Sequence, residues 1–195
     1  MRRVAEELGT GAGALYWHVA NKEELLDLLV DRIVSEIELP EPDPSLWEEQ
    51  LKELGRTMRA LLKSHRDIAR ITLGRIPLGS NLIRVIEWQL ELLRGAGLPD
   101  PVAALTGDLL ALYVGAFVYE ESLPAPAPEG DLAADMAAMI RDYFGSLPPD
   151  RFPHTVDLAA ELARADRDER FEFGMDLIVR GLRTHIAVKH FRSHS

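Results

Sequence analysis

The chain has 195 residues, 47% of them hydrophobic and 28% charged, which is enough apolar material for one or two compact domains and excludes a disordered or fibrous chain. It contains no cysteine, so disulfides, thiolate catalysis, Fe–S ligation and every cysteine-containing zinc site are excluded, and packing alone must hold the core. A formal net charge of −10 with a pI near 5.1 repels phosphate on average, so any nucleic acid must meet a local basic surface.

In chain order, Arg2 to Leu8 reads as a short helix, Gly9 as a turn, and about Ala12 to His18 as a second short helix. Two short helices at a tight glycine turn make a helix-turn-helix, whose second helix is shaped for the major groove. Ala5 is small where the helices must cross, and Val4, Leu8 and Leu15 are expected to face inward. Any helical hairpin can show this much.

The next helix is expected from Asn21, where Asn-Lys-Glu-Glu offers a side-chain cap and early acids, to about Leu39, with Pro40, Pro42 and Pro44 stopping it. Trp47, Leu51, Leu54, Met58 and Leu61 recur at intervals of four and three behind Ser45 and Glu48, the capping-box pattern, and predict a helix from about Leu46 to Ser64. Further helices are expected at about Asp67 to Leu73, Ser80 to Arg94, Pro101 to Ser122, Asp131 to Phe144 and Arg167 to His190. The Pro-Ala run between Leu123 and Gly130 is expected to be an exposed, extended connector. No stretch alternates as a half-buried strand would, so the fold class is all-α.

The helices at Pro101 to Ser122 and Arg167 to His190 are apolar on more than one face and must be covered from two sides. A second copy across a two-fold axis would cover Leu109, Leu112 and Ala116 on the first and Met175, Ile178 and Leu182 on the second. Central helices in a monomeric bundle would look the same, and pattern alone leaves both readings open. Small residues at Gly115, Ala116, Gly174 and Gly181 permit close helix approach. The most apolar window, Leu109 to Tyr119, falls short of the ~20 residues of a membrane span, and no apolar run follows Met1-Arg2-Arg3. A cytoplasmic protein without membrane contact is expected.

The segment Leu15-Tyr-Trp-His-Val-Ala-Asn-Lys-Glu-Glu-Leu-Leu26 closely resembles the end of the recognition helix and the start of the next helix in the TetR family of bacterial transcriptional regulators. Its Tyr-Trp-His-Val form resembles the tetracycline-repressor branch, as do Ser64-His-Arg-Asp67, Leu73-Gly74, Glu87-Trp-Gln-Leu90 and Phe173-Gly-Met-Asp-Leu-Ile178. The resemblance implies a helix-turn-helix head with its connecting helix over 1–38 and a TetR-type ligand-binding and dimerisation domain over 39–195. It implies a homodimeric, ligand-responsive regulator, a repressor in the first reading, that binds palindromic operator DNA and is released by a small organic effector.

The same resemblance assigns roles. Tyr16, His18 and Lys22 suit phosphate and sugar positioning, and Arg2 and Arg3 open the first short helix, where Arg2 can reach a base edge or the backbone. Ala12, Gly13 and Ala14 occupy the base-reading face but carry no hydrogen-bonding side chain, so readout rests on methyl contacts or close backbone approach. Trp17 is expected to pack the recognition helix on the following one. Family members carry a further helix before this pair, whereas here the chain opens at the second. The head is therefore expected to be truncated, with Val4, Leu8 and Leu15 partly uncovered, and the runner-up reading is a small-molecule-binding helical dimer that no longer binds DNA.

Alignment through these motifs places Leu54 where the tetracycline branch has an amide, Met58 for an aromatic, Thr72 for a metal-binding imidazole, Ile76 for a guanidinium and Tyr119 for a carboxylate, while Gln89 is retained. A pocket of these six residues with Trp88 nearby is more apolar and has few groups able to hold magnesium. An uncharged or weakly polar effector is expected, with no cofactor and no metal. His154, His185, His190 and His194 put at most one pair on a helical face and read as solvated. No nucleophile elbow, His-Glu-x-x-His helix or phosphate loop is present, so no enzyme is expected.

Overall fold

The computed structural model describes residues 1–65, 68–72, 79–123, 132–164 and 166–192, and regular structure among them is helical throughout. The helices are α1 (Arg2–Glu7), α2 (Ala12–Leu15), α3 (Lys22–Val34), α4 (Trp47–Ser64), α5 (Ile68–Thr72), α6 (Ser80–Gly95), α7 (Asp100–Ser122), α8 (Leu132–Gly145), α9 (Pro153–Asp157), α10 (Ala159–Leu162) and α11 (Arg167–Arg192). The expected all-α class is met. The packing forms two units, Met1–Ser122 with Met175–Ser195, and Leu123–Gly174.

Asn21 caps α3 as its sequence predicts: the side-chain oxygen accepts from the Glu24 N–H at 2.8 Å, and Glu23 and Glu24 sit at the positive end of the helix. The helix stops at Val34, short of the expected Leu39. The chain then runs without regular structure to a 3₁₀ turn at Pro44–Leu46. The expected capping box at Ser45 is corrected there. The Asp43 carboxylate accepts from the Ser45 N–H at 2.9 Å and from its hydroxyl at 2.7 Å, so Ser45 is capped and α4 begins at Trp47 without a side-chain cap. Helices α9 and α10, five and four residues long, are too short to show a period and are not legible in the sequence. The expected Pro-Ala connector at 124–130 lies outside the described residues.

In the first unit α7 receives α4, α5 and α6. Leu51, Leu92, Leu93, Leu110, Val114, Met175 and Val179 are buried almost completely. Gly55 on α4 marks the tightest approach: a Cβ there would lie 2.7 Å from Met175 Cε and 3.5 Å from Leu110 Cδ1, so glycine lets α4 meet both. Thr106 satisfies its buried hydroxyl by donating to the Val102 carbonyl at 2.7 Å.

With 23 residues and a best-window mean hydropathy of 1.7, α7 is long and apolar enough to cross a membrane by length and composition alone, a test that a buried core helix passes equally. Its apolarity is divided between two faces. Ala103, Thr106, Leu110, Val114 and Phe117 are buried, while Leu105, Leu109, Leu112 and Ala116 form a second, exposed stripe. In the other unit α9 and α10 pack on α8 and on each other, Ala159, Ala163 and Phe171 are buried, and Arg164 bridges Glu161 and Glu169.

Candidate DNA-reading head and effector pocket

In the head, Gly9 at φ 65° supplies the left-handed turn between α1 and α2, and Ala5 is buried where the two helices pack. Arg2, Arg3, Gly13, Ala14, Tyr16, His18 and Lys22 are all exposed, and Ala12 opens α2. The basic and aromatic groups therefore face solvent, as phosphate contacts require. Two expectations are corrected. Trp17 is 90% exposed, against its expected packing on the following helix, and Val4 and Leu8 are exposed, Leu8 at 65%, with Leu15 half-buried, against the inward-facing reading and in agreement with the partial uncovering also expected of them. The physical reason is size: six residues of α1 and four of α2 share one small buried face, which Ala5 fills. Behind them Val19 is buried, and the Ala20 N–H donates to the Glu24 carboxylate. That bond and the Asn21 cap fix the first turn of α3, from which Lys22 projects.

The expected pocket residues stand on α4, α5, α6 and α7, which pack together. Leu54, Trp88 and Gln89 are buried, and Met58, Thr72 and Tyr119 are half-buried; Ile76 lies outside the described residues. Gln89 is 5% exposed, and no described residue bonds to its amide. The amide faces Gly107, where a Cβ would lie 3.2 Å from Gln89 Nε2. The Trp88 indole N–H donates to the Pro40 carbonyl. A cleft of about 300 Å³ opens between the 37–40 segment and α4, lined in part by Ile37, Pro40, Glu53, Leu54, Thr57 and Trp88. Of the expected set it takes in Leu54 and Trp88 but not Met58, Thr72, Gln89 or Tyr119.

A charged group missed in the sequence joins α4 to the end of α7. Arg59 donates to both Glu121 oxygens, at 3.2 and 2.7 Å, Lys63 reaches the same carboxylate at 3.2 Å, and the Arg59 guanidinium lies 5.1 Å from the Phe117 ring centroid. Burial pushes the Glu121 carboxyl up, but the hydrogen bonds from Arg59 and Lys63, with their charges, hold it below its ordinary value. The signal in the sequence is an arginine in the buried register Leu51–Gly55–Arg59. Its partner, 62 residues away, leaves no local trace.

The candidate interface residues separate into two groups. Leu109, Leu112 and Ala116 are exposed and Ile178 is half-buried, whereas Met175 and Leu182 are buried in the chain's own core. This corrects the expectation that the last two face a partner. The exposed face of this part of α11 instead carries Leu177 and Gly181, and a Cβ at Gly181 would meet nothing within 4 Å.

Residues 1–29 match the family model of bacterial regulatory proteins of the tetR family, and residues 39–186 match the tetracyclin repressor-like C-terminal domain. The chain belongs to the TetR family. It is a ligand-responsive transcriptional repressor by that membership, and not an enzyme. Among its relatives, the HTH-type transcriptional repressor DrrR1 of Streptomyces coeruleorubidus is 30% identical over 99% of this chain and 73% of that protein. The class G tetracycline repressor of Vibrio anguillarum is 32% identical over 92% of this chain and 81% of its own length. The crystal structure of the Streptomyces coelicolor TetR family protein ActR in complex with actinorhodin is 44% identical, with a TM-score of 0.85 over 94% of this chain and 86% of that one.

Proposed function

We propose that this TetR-family regulator grips a palindromic operator as a homodimer through Arg2, Arg3, Tyr16, His18 and Lys22, with Ala12, Gly13 and Ala14 approaching the base edges. The observation that carries this is the head itself: every phosphate-contacting candidate whose side chain is described is exposed, on two short helices joined by a glycine turn. The head with its connecting helix occupies 1–38 and the regulatory domain 39–195, in the cytoplasm. Two copies meet through the exposed stripes of α7 and α11, Leu105, Leu109, Leu112, Ala116, Leu177 and Gly181 foremost. An obligate interface of this kind buries upwards of ~2,000 Å² in total.

The effector is an uncharged or weakly polar organic molecule held on the Gln89 amide among Leu54, Met58, Thr72, Ile76, Trp88 and Tyr119. The ActR complex with actinorhodin supports a ligand other than a tetracycline, as does the loss of magnesium-binding groups at Thr72 and Tyr119. Binding of the effector changes the separation of the two heads and releases the operator. The test is fluorescence anisotropy with a duplex selected by the chain from a random pool, at fixed salt. Tyr16→Ala, His18→Ala and Lys22→Ala each weaken binding across sequences, as loss of phosphate contacts does. Failure to enrich any duplex, or tight binding of magnesium–tetracycline, would contradict the respective half of the reading.

A further inference from the structure

We propose that Asp31 is the positioning residue that sets the register of α3, and so of the head, on the regulatory helix α6, and that α6 carries the state of the pocket to the head through it. The Asp31 carboxylate accepts from the backbone N–H of Asn81 at 2.9 Å, from the Asn81 side-chain amide at 2.8 Å and from the backbone N–H of Leu82 at 3.2 Å. The two backbone N–H groups are orphan donors of the first turn of α6, satisfied here from about 50 residues away instead of by a local cap: Gly79 at the N-cap position offers no side chain. Gly79 is also where Asp31 enters, since a Cβ there would lie 2.5 Å from Asp31 Cβ. Glycine at 79 and aspartate at 31 form one lock.

Two further bonds run along the same helix. Arg84 donates to the Ile37 carbonyl at 2.8 Å, and the Trp88 indole donates to the Pro40 carbonyl. Along α6 the order Asn81, Arg84, Trp88 matches the order Asp31, Ile37, Pro40, so the segment leaving the head lies on α6 as on a rail. Apolar contact alone resists sliding weakly, because it is non-directional. The charged, three-pronged end of the rail is directional and defines a single register. The next residue after Trp88 is Gln89, which stands in the proposed effector pocket. A ligand that displaces α6 through Gln89 therefore acts on the helix to which Asp31 is fastened.

The proposal rests on reading α1 and α2 as the DNA-reading head, but its test needs neither DNA nor effector. The chain has no cysteine, so Glu7→Cys on α1 and Glu91→Cys on α6, both exposed, take spin labels at those two positions alone, and dilution with unlabelled chain isolates the distance within one chain. Dipolar EPR is expected to give one narrow distance population in this background. Asp31→Leu, which keeps the branching and removes the acceptors, loses the narrow population, and so does Gly79→Ala from the other side of the lock. Asp31→Asn, which retains an acceptor for the backbone donors, restores it. A residue that only stabilised α6 would lower the melting temperature and leave the distance unchanged. A wild-type distribution in Asp31→Leu, or in Gly79→Ala should Asp31→Leu not fold, overturns the proposal. Failure of the operator reading would show in the anisotropy titration and leave this distance untouched.

Discussion

The head and the α4–α6–α7 core occupy one chain but follow opposite rules. In the core, Leu51, Leu92 and Leu93 are entirely buried, and even a glycine, Gly55, is where it is because Met175 leaves no room for a Cβ. In the head, the buried apolar side chains among the described residues of the two short helices and the turn after them are Ala5 and Val19, while Trp17, Tyr16 and Leu8 stand exposed. Substitutions in the core should therefore be felt in folding free energy, and substitutions in the head in binding. The difference teaches that exposure of large apolar groups in this chain marks surfaces, not faults of packing.

The sharpest way to break that comparison is at Met175. Met175→Ala removes a fully buried side chain and leaves a cavity against Gly55 and Leu110, with an expected cost of about 2–5 kcal/mol. A urea midpoint equal to that of wild type would show that α11 does not belong to the core.

Next in size is the Arg59–Glu121 pair. Glu121→Gln keeps the shape and removes charge-assisted bonds worth about 1.5–3 kcal/mol in total effect. Its pH dependence has a definite sign. The folded carboxyl titrates below its ordinary value of 4.5, so the unfolded chain binds more protons and stability rises with pH through this region. The contribution is fully present above 4.5 and disappears as pH falls through the lower folded value. Wild type and Glu121→Gln should converge in stability in acid, as chemical denaturation at a series of pH values would report; a gap that stays constant would remove Glu121 from the account.

Smaller again is the boundary between the regions. Asn21→Ala deletes the cap of α3 and should cost about 1 kcal/mol, seen as a lower melting temperature and faster amide exchange over Lys22 to Leu25. The smallest effect on stability belongs to the head's own surface. Trp17→Ser and Leu8→Ser should change stability by no more than about 0.5 kcal/mol, and Lys22→Ala likewise, although that variant should lower the salt slope of operator binding by about 1. A large loss of stability at Trp17 would mean that the indole has a packing partner after all.

What was legible in the chain beforehand follows the range of each interaction. The Asn21 cap and the helical period of α4 are local and read correctly from residues a few positions apart, and the Tyr16-Trp17-His18-Val19 motif, equally local, identifies the family. The expected Ser45 cap failed by a local competition, since the Asp43 carboxylate takes both Ser45 donors. The Arg59–Glu121 pair and the Asp31 lock join residues 62 and 50 positions apart, and no periodicity encodes such a meeting.

By itself the sequence determined the helical class, the positions of the long helices and the identity of the reading head, because hydrophobic period, caps and a contiguous motif are properties of neighbouring residues. Tertiary structure alone decided the faces. On α7 and α11 apolar residues lie on both sides, so the pattern has no phase to say which side is inside. Packing against α4 assigned Leu110 and Met175 to the core and left Leu109, Leu112 and Leu177 at the surface. Burial depends on what covers a residue, and the covering side chains come from elements far away in the chain.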